Sequence, residues 1–174
     1  MRPLFHVSWL IGVILFAGCS RMPPEMTSAK VGKFAPDLDP SDGMPLGLVV
    51  NYAFPGEGEV RLALPSVTER RSKAEWAAVV ARFDKDFDRL IPRVAAVRSE
   101  VAPKVLELHR NWFPKKAWTG SAEDLMRHLK LKDVNYYGDG SFAVWFECDD
   151  LFDRLDLNVE LNQEWVVDIV KFDG

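Results

Sequence analysis

From Trp76 to Trp112 apolar side chains recur at steps of three and four: Trp76, Val79, Val80, Phe83, Phe87, Leu90, Val94, Val97, Val101, Val105, Leu108 and Trp112. Such steps keep side chains on one face of a 3.6-residue turn, so the pattern predicts an amphipathic helix from about Ser72 to Trp112. Ser72 with Glu75 fits a capping box at its start. Pro92 and Pro103 fall inside it, and each lacks an amide hydrogen and clashes with the carbonyl four residues back. A kink or break at one or both is expected. The stripe keeps its phase through both prolines, which favours bent helix segments over a helical hairpin.

On either side the period is two. Leu48, Val50, Tyr52 and Phe54 alternate with Val49, Asn51 and Ala53, and after "PGEG" Val60, Leu62 and Leu64 alternate with Arg61 and Ala63. Two alternating runs joined by turn formers predict an antiparallel hairpin. Beyond Trp112 a short helix is expected from Ser121, with Glu123 and Asp124 in its first turn and Leu125, Leu129 and Leu131 facing inward. Val134 and Tyr136 lead into "GDGS". Phe142, Val144, Phe146 and Cys148 then alternate, followed by Leu155, Leu157, Val159 and Leu161, and "NQE" turns the chain into Trp165 to Phe172. These last runs read as a three-stranded antiparallel meander with one buried face. The expected class is α+β: a mostly antiparallel sheet, built from the N-terminal hairpin and the C-terminal meander, packed against a long kinked helix and a short one.

The first 45 residues do not fit this scheme. Leu4 to Phe16 is a short apolar run behind Arg2, below the roughly 20 residues a transmembrane helix needs but suited to a secretory signal. Ala17 and Gly18 then precede Cys19. "LFAGCS" resembles a bacterial lipoprotein signal, in which cleavage falls before a lipid-modified cysteine; Phe16 stands where that family has Leu. The resemblance implies a signal peptide over 1–18, acyl chains of the palmitate type on Cys19 as a membrane anchor, and a place in the cell envelope. Ser20, rather than Asp, leans toward the periplasmic face of the outer membrane. If Cys19 carries lipid, no intramolecular disulfide with Cys148 forms. Residues 19–45, with Pro23, Pro24, Pro36, Pro40 and Pro45 among polar residues, read as a lipidated cysteine and a proline-rich tether. The alternative is a strap packed through Phe34 and Leu38. The folded domain is then 46–174.

Composition narrows the function classes only a little. The 174 residues carry 48% hydrophobic residues with 11 Phe and 6 Trp, enough for a real core. The formal net charge of −4 gives no general attraction to nucleic acid, so no nucleic-acid partner is expected. His109 and His128 lie on expected helices, and Cys148 alternates in phase with core residues, so neither suggests nucleophilic catalysis. No zinc-type ligand spacing occurs, and neither a metal nor a cofactor is expected. Arg110, Lys115 and Lys116, with Trp112 and Trp118 interleaved, form a candidate binding patch, continued by Arg127, Lys130 and Lys132. The acids Asp149, Asp150, Asp153 and Asp156 are a candidate catalytic or cation-holding loop. Their spacing lacks the glycine and terminal Glu of an EF-hand.

"LHRNWF" (Leu108 to Phe113) and "LMRHLKLKDVNYYGDGSFAVWFECDDLF" (Leu125 to Phe152) resemble a small bacterial domain family of unknown function with an Asp-Leu-Phe motif. Trp112, Leu129, Val134, Gly140, Phe146, Asp150, Leu151 and Phe152 match its pattern. The Trp-Gly-His continuation of some relatives is replaced by Asp153, Arg154 and Leu155. Related-looking domains occur among candidate toxin-immunity proteins, and the resemblance implies no known activity. The expected function is a non-enzymatic, membrane-tethered envelope lipoprotein that binds a protein or envelope component, an immunity-like inhibitor being its sharper form. The alternative is an envelope hydrolase using Asp149–Asp156. Paired carboxylates would need one pKa raised by burial, whereas alternation predicts these side chains exposed.

Overall fold

Ser72 caps a helix that runs for 40 residues, α1 (Lys73–Trp112), in a computed structural model that describes residues 22–65, 71–114, 118–148, 152 and 155–173. The capping box is complete: the Glu75 amide donates to Ser72 Oγ at 3.3 Å, and the Ser72 amide donates to the Glu75 carboxylate at 2.5 Å. Pro92 and Pro103 lie inside one continuous helix, without a break at either. The buried face is the expected stripe, from Trp76 through Phe83, Leu90 and Val97 to Val105, and it ends on His109.

Among the described residues the remaining elements are eight strands and a one-turn helix, α2 (Ala122–Met126). The strands are β1 (Met26–Ser28), β2 (Gly32–Leu38), β3 (Pro45–Phe54), β4 (Gly58–Pro65), β5 (Leu129–Tyr136), β6 (Phe142–Cys148), β7 (Asp156–Leu161) and β8 (Val167–Asp173). They form one sheet in chain order, antiparallel except where β4 meets β5 in parallel. The fold is therefore α+β with a mostly antiparallel sheet. The parallel seam follows from connectivity, because α1 and α2 lie in the connection from β4 to β5 and supply the long crossover that parallel neighbours require.

Leu48, Phe54, Val60, Leu62, Val134, Tyr136, Phe142, Val144, Leu157 and Val159 turn to one face and are buried, and α1 lies across it. Phe83 meets Phe34 at 5.6 Å and Tyr136 at 5.5 Å, both edge-on, while Phe87 meets Tyr52 at 5.3 Å. One helix thus contacts strands from both sides of the seam. The opposite face is polar: Asn51, Arg61, Asp133, Trp145, Asn158 and Lys171 follow one another along a single register row. Arg61 on β4 reaches Asp133 on β5 at 3.1 Å and also pairs with Asp37 on β2, clamping the seam from outside.

Two expectations are corrected. The stretch read as a tether contains β1 and β2, and Phe34 is fully buried. The packed-strap alternative describes it better, though Leu38 stays 39% exposed. The misleading residues are Pro and Gly. Pro36 pairs with Leu48 beyond the end of β1, where no neighbour needs its missing amide hydrogen, and Gly32 turns the chain at φ +88°. The turn is tied to α1 by Ser28 Oγ donating to Asp84, the Ala29 amide donating to Asp84 at 3.0 Å, and a Lys30–Asp88 ion pair at 2.6 Å. The second correction concerns Leu129 and Leu131. They belong to β5, not to the short helix, which makes the C-terminal unit four-stranded. The four-residue spacing from Leu125 to Leu129 suits a helix, but Leu129, Leu131, Val134 and Tyr136 point inward as strand residues across a bulge after Leu131.

Because Phe34 seals the core under Phe83, Phe34→Ala should destabilise the protein by about 3–5 kcal/mol, read from urea unfolding. A true tether would leave the midpoint unchanged.

Candidate functional site

Arg82, Lys85 and Arg89 follow one another at steps of three and four along one flank of α1, beside the buried stripe. Two hairpin tips reach that flank, and between them and the helix lies a cleft of about 400 Å³. The β5–β6 tip contributes Asp139 and Gly140, and the β7–β8 tip contributes Gln163 and Trp165.

Both tips are built by local hydrogen bonds. In the first, the Tyr137 amide donates to Ser141 O at 2.9 Å, and Asp139 Oδ1 accepts from the Ser141 amide at 2.9 Å and hydroxyl at 2.7 Å. Gly140 stands at φ +96°, a conformation that suits glycine. In the second, Asn162 Oδ1 accepts from the Glu164 and Val166 amides at 3.0 and 3.1 Å, and the Trp165 amide donates to Asn162 O at 2.9 Å.

Trp165 itself is in the left-handed region, at φ +66°. An L residue there is disfavoured by roughly 1–2 kcal/mol, and a turn at this point would ordinarily carry Gly or Asn. The indole explains why Trp stays. It is 4% exposed, its Nε1 donates to Gly140 O at 2.9 Å, and its ring meets Phe142 edge-on at 5.3 Å. The Arg89 guanidinium lies 4.1 Å from the centre of the ring, and Arg93 Nε donates to Trp165 O at 2.9 Å. One side chain bolts the two tips to each other and to the helix.

The charges of the cleft are unevenly satisfied. Asp86 accepts the Tyr136 hydroxyl, whose pKa is raised by burial first and by this bond second, so Tyr136 remains a neutral donor. Burial alone would raise the Asp139 pKa, but the bonds from Ser141 and from Gln163 Nε2, at 3.2 Å, outweigh it and bring the carboxyl below its ordinary value of 3.8. Arg82 Nη1 donates to Gly138 O at 2.6 Å. Lys85 and Arg89 have neither a hydrogen bond nor an ion pair among the described residues, and Arg89 has only the indole.

The residues singled out from sequence lie elsewhere. Cys19, Lys115, Lys116, Asp149, Asp150 and Asp153 are outside the described residues. At the end of α1, Arg110 is exposed, and Trp112 is 58% exposed with its ring 6.0 Å from Phe172. Trp118 turns toward α2: its Nε1 donates to Ser121 O at 3.0 Å and its ring meets His128 at 5.3 Å. Asp156 is ion-paired with Lys132 at 2.6 Å, a contact that raises the Lys132 pKa. His109 is buried against Phe113 and Phe152, and Cys148 is buried on the inner face of β6.

Sequence reasoning missed the cleft. Charges on the flank of an amphipathic helix look ordinary, and "GDGS" and "NQE" were legible only as turns. The one available signal was Trp165 directly after a turn sequence.

Among the described residues no three His, Cys, Asp or Glu side chains are grouped to hold a metal, and no helix is long and apolar enough to cross a membrane. Compared with protein families, curated proteins and solved structures, the chain matches none.

The lowered Asp139 pKa carries a pH dependence. A depressed carboxyl adds stability that is fully present above its unfolded value, about 3.9, and is lost as pH falls through the folded value. Asp139→Asn should therefore lower the urea midpoint near neutral pH, and its gap from the parent should shrink as the pH falls below the unfolded value of about 3.9. A gap that persists in acid would show that the charge of Asp139 is not what holds the tip.

Proposed function

We propose that this chain is a lipid-anchored domain of the bacterial cell envelope that works by binding rather than by catalysis. The observation that carries the binding reading is the cleft. Among the described residues the two adjacent cations Lys85 and Arg89 have no ion-pair partner there, and three cations face two acids whose oxygens already accept from Tyr136, Ser141 and Gln163. Such a place attracts an anionic group without offering a nucleophile and base poised on a common point. Of the acids on which a hydrolase would rely, Asp156 is taken up by Lys132.

The envelope location rests on the lipoprotein-like segment ending at Cys19. The corrected strand boundaries make the link to the membrane short. Met26, which opens β1, comes seven positions after Cys19, at most about 25 Å of extended chain. Ala29, bonded to Asp84 of α1, comes three positions later. The domain would ride close to the bilayer rather than at the end of a long leash. An immunity-like role is compatible with this placement and rests on the faint C-terminal resemblance.

Cys19→Ala tests the location. The variant should leave the membrane fraction or accumulate as unprocessed precursor, seen by fractionation and gel mobility. A variant of processed size that stays with membranes would contradict the anchor.

A further inference from the structure

We infer that the cleft between α1 and the two hairpin tips binds a phosphomonoester carried on a small hydroxylated group. The inference rests on the reading of the domain as a binding module and names the chemistry of its ligand.

Charge count comes first. Arg82, Lys85 and Arg89 set three positive groups against Asp86 and Asp139, which keep their charge because their partners are neutral, so the cleft has an excess of one positive charge; Arg82 is already held by Gly138 O, and the acids by Tyr136, Ser141 and Gln163. Lys85 and Arg89 remain. They are four residues apart on a helix, so their Cβ atoms are about 5–6 Å apart and their charges repel. A phosphomonoester brings three strong acceptor oxygens, enough to meet the Lys85 ammonium and the two-pronged edge of the Arg89 guanidinium together, whereas the two oxygens of a carboxylate are taken up by the Arg89 fork alone.

Orientation points the same way. Arg89 lies over the Trp165 ring, which leaves the edge of its guanidinium, where the N–H donors are, for an oxyanion. The ring is itself fixed by Gly140, Phe142 and the left-handed backbone, so the fork is ordered before a ligand arrives. Less entropy is then lost on binding. The space is the third argument. At about 400 Å³ the cleft lies in the range of small-molecule sites, and a bare phosphate would leave most of it empty. Asp139 and Gln163 sit across from the cations. They repel or ignore the phosphate but can accept from and donate to hydroxyls, which directs the phosphate to α1 and its carrier to the tips.

The test is a calorimetric titration of the full chain in neutral detergent with glycerol 3-phosphate, glycerate and 1-hexanoyl lysophosphatidic acid, which keeps one free hydroxyl. Glycerol 3-phosphate should bind saturably and at least about tenfold more tightly than glycerate. Lys85→Gln should weaken it about tenfold or more, the scale of one charged hydrogen bond, without moving the melting temperature, because Lys85 is exposed and has no partner to lose. Lysophosphatidic acid binding as tightly as glycerol 3-phosphate identifies a lipid source; glycerol 3-phosphate binding alone identifies a soluble one. Absence of saturable binding, equal affinity for glycerate, or an unaffected Lys85→Gln variant would overturn the inference. Lys85→Gln leaves Cys19 untouched, so a failed ligand and a failed membrane anchor are told apart by fractionating the same protein.

Discussion

The apolar stripe of α1 is the constraint on which the rest depends. Eight strands in chain order could equally form two separate four-stranded sheets, each with an unpaired edge. They become one sheet because a single helix buries its stripe against both halves: Phe83 and Phe87 touch Phe34 and Tyr52 on one side of the seam, and Phe83 touches Tyr136 on the other. The parallel β4–β5 pairing, the weakest kind of ladder per residue, is short, from Arg61–Asp133 to Ala63–Asn135. It is reinforced on both faces. Arg61 bridges to Asp133 outside, and inside Glu57 pairs with Arg98 of α1 at 2.8 Å. Both contacts are partly exposed, so each adds little by itself; the packing of α1 supplies most of the stability.

The cleft follows from the same arrangement. A helix about 60 Å long laid across a sheet must meet the ends of some hairpins, and α1 meets those after β5 and β7. What turns this meeting into a site is Trp165. Its backbone strain is offset by a buried indole that contacts Gly140, Phe142 and Arg89, which fixes the floor of the cleft and orients a cation above it.

How much of this was legible follows from how many residues repeat each signal. The α1 stripe recurs through a dozen apolar positions, so the helix and its N-cap could be read directly, and two prolines did not hide it, although the last position, Trp112, is exposed. The alternation from Leu48 to Leu64 was equally plain. β1 and β2 were not, because in β2 Phe34 is the only fully buried residue, set among Gly, Lys, Ala, Pro and Asp. The start of β5 was lost to a coincidence of spacing, since Leu125 and Leu129 suit a helix as well as a strand. The seam and the cleft join residues more than 50 positions apart, and no local pattern encodes that pairing. The resemblance at Cys19 was legible from its neighbours alone because a lipoprotein signal is a linear pattern.

Native-state hydrogen exchange on the amides flanking the seam tests the central claim most directly. If one helix holds both halves in one sheet, amides in β3–β4 and in β5–β8 should open with the same free energy, that of global unfolding. Exchange of the β3–β4 amides through a separate, cheaper opening while β5–β8 remain protected would show two independent units and contradict it.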